Sequence, residues 1–145
     1  MKLNLSRTRL TVLLLALLCL LTGAACDRAT KVTLSGGDHP TFDLSGSGTL
    51  KRLQVEGPAG PEWAIVAEGL GDSVGRFEGI TYGEVPPGYT QTVPGRGTAP
   101  PLVEGKTYYL TVDTKNEPAL RVPFIISDGK AIAQPVTKNG SSTGP

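Results

Sequence analysis

Residues 31–136 of this chain predict an all-β fold of two packed sheets, and three observations carry that expectation. Beyond residue 26 no stretch keeps apolar residues at three-and-four spacing for three turns, as an amphipathic helix requires. Nineteen Gly and twelve Pro punctuate the 145 residues every few positions. Between them recur short runs in which apolar and polar residues alternate, the pattern of half-buried strands. About seven to eight strands in roughly 105 residues suit a sandwich with a core near 10 Å thick.

The elements follow in order. Residues 31–35 form a first strand closed by Gly36-Gly37. Residues 41–44 follow, with Phe42 and Leu44 on one face, and Ser45-Gly46-Ser47-Gly48 ends them. Residues 50–56 alternate cleanly, with Leu53 and Val55 inward and Arg52 and Gln54 outward. Residues 62–68 place Trp63, Ile65 and Ala67 on a single face. A Gly-rich excursion over 69–79 leads to a strand at 80–85, and a Pro86-Pro87-Gly88 turn leads to another at 89–93. Strands at 107–113 and 119–127, the turn Asp128-Gly129 and a last strand at 130–136 complete the domain. Residues 137–145 are small and polar and predict a disordered tail.

One segment narrows the fold. Residues 102–112 read Leu-Val-Glu-Gly-Lys-Thr-Tyr-Tyr-Leu-Thr-Val. This resembles the tyrosine corner of fibronectin type III and related immunoglobulin-like sandwiches, in which Leu102 and Gly105 precede Tyr108. Glu104 stands where that family usually has proline. The resemblance implies that Tyr108 buries its ring and bonds through its hydroxyl to backbone in the preceding loop. Leu110 and Val112 then share its inward face, leaving Tyr109, Thr111 and Asp113 outward. Trp63 lies on an earlier strand, where such sandwiches keep a core tryptophan. A sandwich of this kind states a fold, not a function.

The first 26 residues speak of location. Lys2, Arg7 and Arg9 precede an apolar run over residues 10–21, and Thr22-Gly23-Ala24-Ala25 leads into Cys26. A basic head, a short apolar middle and a small-residue exit make a secretory signal. With Cys26 at the exit, the segment resembles a bacterial lipoprotein signal. That resemblance implies a diacylglycerol on Cys26, cleavage between Ala25 and Cys26, and residues 26–30 as a lipidated tether. Cys19 suits this less well, because the bulky Leu18 precedes it. Two alternatives stay open: an ordinary cut after Ala25 that leaves an unlipidated periplasmic protein, and retention of residues 10–25 as an anchor. Those 16 residues fall short of the ~20 that span a bilayer as a helix. Acyl chains suffice for anchoring, since each buried methylene contributes ~0.8 kcal/mol and two or more chains hold firmly. Asp27 follows the cysteine, the position that retains enteric lipoproteins in the inner membrane; outside enteric bacteria the choice of membrane stays open.

Composition excludes some functions. Fourteen Lys and Arg, less the three of the leader, leave eleven against thirteen Asp and Glu. A mature net charge of about −2, with no basic patch of interleaved aromatics, argues against nucleic acid. Cys19 and Cys26 are the only cysteines. The exported domain therefore has no disulfide, although it is expected where disulfides persist.

Three constellations bear on chemistry. Gly71-Asp72-Ser73-Val74-Gly75 matches the G-x-S-x-G pattern of a hydrolase nucleophile elbow. That elbow needs a strand, a strained turn and a helix. Here Arg76-Phe77-Glu78-Gly79 follows instead, and the only histidine, His39, precedes the serine. His39 with Asp38 and Asp43 is one imidazole and two carboxylates, where stable zinc sites recruit three or four strong ligands. No metal, cofactor or catalytic residue is therefore assigned. Asn139-Gly140-Ser141 matches a glycosylation sequon without further support. The third constellation is a candidate contact surface: Tyr82 and Tyr89 bracket a stiff loop, and Arg96 sits at a neighbouring loop tip. Rigid tyrosines supply binding area at low entropic cost, although Tyr82 and Tyr89 are equally suited to packing at the sandwich edge.

The expectation is a lipid-anchored protein of the bacterial envelope, its domain in the periplasm or at the cell surface. It binds or scaffolds a protein partner there and is not an enzyme. Two alternatives are an inhibitor or immunity lipoprotein acting through loops 82–89 or 94–101, and a small serine hydrolase using Ser73.

Overall fold

A computed structural model describes residues 29–115 and 117–135. The leader with Ala25, the lipidation residue Cys26 and the tail over 137–145 lie outside the described residues. Among the described residues there are nine strands, against the seven to eight expected: β1 (Lys31–Ser35), β2 (Thr41–Ser45), β3 (Thr49–Gly57), β4 (Gly60–Ala67), β5 (Ile80–Thr81), β6 (Tyr89–Val93), β7 (Thr107–Lys115), β8 (Leu120–Ser127) and β9 (Lys130–Ala133). They form two sheets, one ordered β1-β2-β5 and the other β6-β4-β3-β7-β8-β9. The described residues form an all-β two-sheet sandwich.

Two strands are shorter than expected, for identifiable reasons. The run over 80–85 pairs only at Ile80 and Thr81, because Glu84 N–H turns back to the Thr81 carbonyl at 3.0 Å and Gly83 adopts φ +86°. The run over 130–136 leaves the ladder after Ala133. Gln134 N–H makes one more bond, to the Pro123 carbonyl at 2.7 Å, and Pro135 has no N–H to continue it.

The core lies between the sheets. Phe42 and Leu44 on β2 face Leu53 and Val55 on β3, Trp63 and Ile65 on β4, Tyr108, Leu110 and Val112 on β7, and Phe124 and Ile126 on β8, all buried. Aromatic rings join the layers: Phe42 meets Phe124 edge-on at 6.1 Å, and Tyr108 stacks on Phe124 at 5.6 Å. Trp63 Nε1 finds a partner in Gln91 Oε1 at 3.2 Å, so its burial leaves no polar atom unpaired.

At the corner, the Val103 N–H donates to Tyr108 Oη at 2.8 Å, which fixes the approach to β7. Leu102 is buried, and Gly105 takes φ +77°. Glu104, the residue that departs from the family pattern, has its own task. Its carboxylate accepts the N–H groups of Asp128 and Gly129 in the β8–β9 turn. That turn also closes the sandwich, since Ala131 N–H donates to the Gly36 carbonyl at 2.7 Å and so ties β9 to the β1–β2 turn.

Candidate contact surface

Tyr82 and Tyr89, expected to form a contact surface or to pack at the sandwich edge, are both buried. Tyr82 is 1% exposed and Tyr89 5%. Tyr82 packs edge-on against Trp63 at 5.5 Å and donates its hydroxyl to the Pro100 carbonyl at 2.8 Å. Tyr89 donates to the Leu50 carbonyl at 2.9 Å and accepts from Asp72 N–H at 3.1 Å. Burial pushes both phenols above their ordinary ionisation range. Each ring is a strand-edge residue turned inward, with its one polar atom satisfied by backbone. Arg96 is exposed, but without the two tyrosines it has no aromatic surface to join.

The hydrolase-like pattern is a turn. Ser73 forms an isolated bridge with Thr49 and precedes a 3-10 turn at Val74–Arg76, with unstrained φ −58° and ψ 133°. Gly71 explains itself sterically: it takes φ +78°, and a Cβ there would strike the Leu50 carbonyl. His39 lies in the β1–β2 turn, its Nδ1 3.4 Å from Asp38 Oδ1 and its ring edge-on to Tyr82 at 6.0 Å. Among the described residues no group of three or more His, Cys, Asp or Glu is placed to hold a metal ion.

The arrangement with binding chemistry is the outward face of the six-stranded sheet. Register brings it together: Glu56 lies opposite Tyr109, Tyr109 opposite Pro123, Thr111 opposite Arg121, and Thr107 opposite Ile125, with Ile125 opposite Ile132. Arg121 is therefore diagonal to Tyr109, within reach of a long side chain. Its guanidinium lies 4.3 Å above the Tyr109 ring and continues to Glu56 Oε2 at 3.0 Å.

Glu56 also accepts from Gln54 Nε2 at 2.6 Å, and Gln54 Oε1 accepts from Arg52. Gln54 points outward yet is only 8% exposed, because Arg52 and Glu56 close over it. The result is a hydrogen-bonded row, Arg52–Gln54–Glu56–Arg121, laid along one strand and across the next two. Beside it Tyr109 is 38% exposed and Ile132 45%, with Pro123 and Ile125 half-buried between them. A tyrosine and an arginine locked in place lose little side-chain freedom when a partner covers them. These residue types are the ones enriched where binding energy concentrates.

Sequence alternation places Tyr109 outward, and that was the available signal. Arg121, Glu56 and Gln54 join it only through strand register, which no spacing along the chain reports. No protein-family model matches this chain, and no curated protein or solved structure is significantly similar to it.

Proposed function

We propose that this chain is a bacterial envelope lipoprotein, held to a membrane by acyl chains on Cys26, whose sandwich acts as a non-enzymatic binding or scaffolding module. The observation that carries the reading is the leader itself: a basic head, the apolar run over 10–21 and the small residues before Cys26. Lipid attachment confines the module to a surface and raises its effective concentration toward partners there.

The contact face of this reading is the strip of Tyr109, Arg121, Pro123, Ile125 and Ile132, and the partner is a folded envelope protein. The relaxed backbone at Ser73 supports binding over catalysis.

Crosslinking in intact cells, followed by fractionation and mass spectrometry, tests both halves. Wild type is expected in the membrane fraction with an acylated N-terminal peptide, and Cys26→Ser in the soluble fraction. Tyr109→Ala/Arg121→Ala is expected to leave the protein folded and membrane-bound while reducing partner capture at least tenfold, the loss of about 1.4 kcal/mol or more that hot-spot truncation brings. An unmodified thiol at Cys26 refutes the anchor; undiminished capture by the double variant refutes the face.

A further inference from the structure

We infer that one end of the sandwich, led by Leu70, rests in the lipid headgroup layer; this deepens the lipoprotein reading and rests on it. The starting point is how soon the fold takes hold of the chain. Thr30 is already fixed, its N–H and Oγ1 both donating to Glu117 Oε2, at 3.3 and 2.9 Å. Ala29 and Thr30 also press against Gly46 and Gly48, where an added Cβ would stand 2.9 Å from the Ala29 carbonyl oxygen and from Thr30 Oγ1 respectively. Of the tether expected over residues 26–30, Ala29 and Thr30 therefore belong to the fold. Only Asp27 and Arg28 separate Cys26 from Ala29, a reach of at most ~10 Å even when fully extended. The headgroup region on each side of a bilayer is itself ~5–8 Å deep. Acyl chains on Cys26 therefore bring the end of the sandwich that carries Ala29 down to the lipid surface.

The same end carries the most exposed large apolar side chain among the described residues. The turn at Gly46–Gly48 is shared: Ala29 and Thr30 lie against it, and Val74 N–H donates to the Gly48 carbonyl at 2.9 Å, so the 68–79 loop lies beside it too. Leu70, in that loop, is 81% exposed. Its exposure does not come from a slack backbone. Lys51 Nζ donates to the carbonyls of Gly69 and Leu70, Leu50 N–H donates to the Asp72 carbonyl at 2.8 Å, and Asp72 N–H is held by Tyr89 Oη. A loop fastened from three sides that still projects a leucine beside a lipid attachment point is built to meet an apolar phase. The ammonium of Lys51 at the root of the loop suits the phosphates above that phase.

The test uses the full chain, produced and lipidated in a bacterial host and reconstituted into vesicles of phosphatidylethanolamine and phosphatidylglycerol. Processing removes Cys19 and lipidation occupies Cys26, so Leu70→Cys offers a single thiol for a nitroxide label. Ala59→Cys, in the β3–β4 hairpin at the opposite end of the sandwich, is the control. Both positions are exposed, so neither change threatens folding. The ratio of label accessibility to oxygen, which enters lipid, over a nickel chelate, which does not, is expected to be several-fold higher at 70 than at 59. It is expected to fall to the value at 59 when Cys26→Ser is added together with Cys19→Ser, which keeps the label on one thiol where the leader is not removed. Equal ratios at 70 and 59 in acylated, vesicle-bound protein overturn the inference and leave the lipoprotein reading standing. An intact mass without acyl chains overturns both, and is read before any label is attached.

Discussion

Gly71 and Gly75 look equivalent in the G-x-S-x-G pattern, yet the fold treats them differently. Gly71 needs its left-handed backbone, and a Cβ would collide with the Leu50 carbonyl; a Cβ at Gly75 would meet only the Gly46 carbonyl oxygen, at 3.8 Å. Gly71→Ala is expected to cost about 1–3 kcal/mol. Gly75→Ala and Ser73→Ala are expected to stay within about 0.5 kcal/mol of wild type, all read from urea-unfolding midpoints. A nucleophile elbow would make Ser73 the sensitive position for activity; a turn makes Gly71 the sensitive position for stability. The four tyrosines teach a related lesson. Tyr108 and Tyr109 could be sorted from sequence, because the alternation through Leu110 and Val112 is long enough to fix the inward face. Tyr82 and Tyr89 stand beside Gly and Pro, where alternation breaks, and only the partners Pro100, Leu50 and Asp72 reveal that both rings are core.

At the scale of elements, the expected strand positions survive almost throughout, and the differences fall where the backbone changes its bonding. Irregularities in β3, between Leu50 and Arg52 against β7 and between Val55 and Glu56 against β4, are invisible in a sequence that alternates cleanly. They matter because β3 lies between β4 and β7 and aligns Gln54 and Glu56 under Arg121. The corner before β7 is the most legible element, since a leucine, a glycine and a tyrosine at fixed offsets all serve one bend. Tyr108→Phe keeps the ring and removes the acceptor for Val103 N–H. It is expected to destabilise the domain by about 1 kcal/mol. It should also speed amide exchange at Val103 while leaving Leu110 and Val112 protected, as hydrogen-exchange NMR will report. Exchange unchanged at Val103 would show that the hydroxyl contributes nothing to the loop.

For the whole molecule, the buried phenols set an alkaline limit. The unfolded chain ionises Tyr82 and Tyr89 near pH 10, whereas the fold holds both above that, burial being the largest cause. The unfolded state therefore releases protons first as pH rises. The stabilisation they confer is fully present below about pH 10 and is lost as pH climbs from there toward their folded values, by up to ~1.4 kcal/mol per pH unit for each group. Urea unfolding at about pH 9 and about pH 11 should show a steeper loss in wild type than in Tyr82→Phe/Tyr89→Phe; parallel losses would contradict the burial of these hydroxyls. Sequence alone determined the β class, most strand positions and the corner, because each is written in local periodicity, turn chemistry or composition. Only the tertiary structure decided which tyrosines are surface, which side chains form the Arg52–Gln54–Glu56–Arg121 row, and how near the domain begins to Cys26. Those depend on register between distant strands and on where Glu117 meets Thr30, and long-range pairing leaves no trace in the spacing of neighbours along a chain.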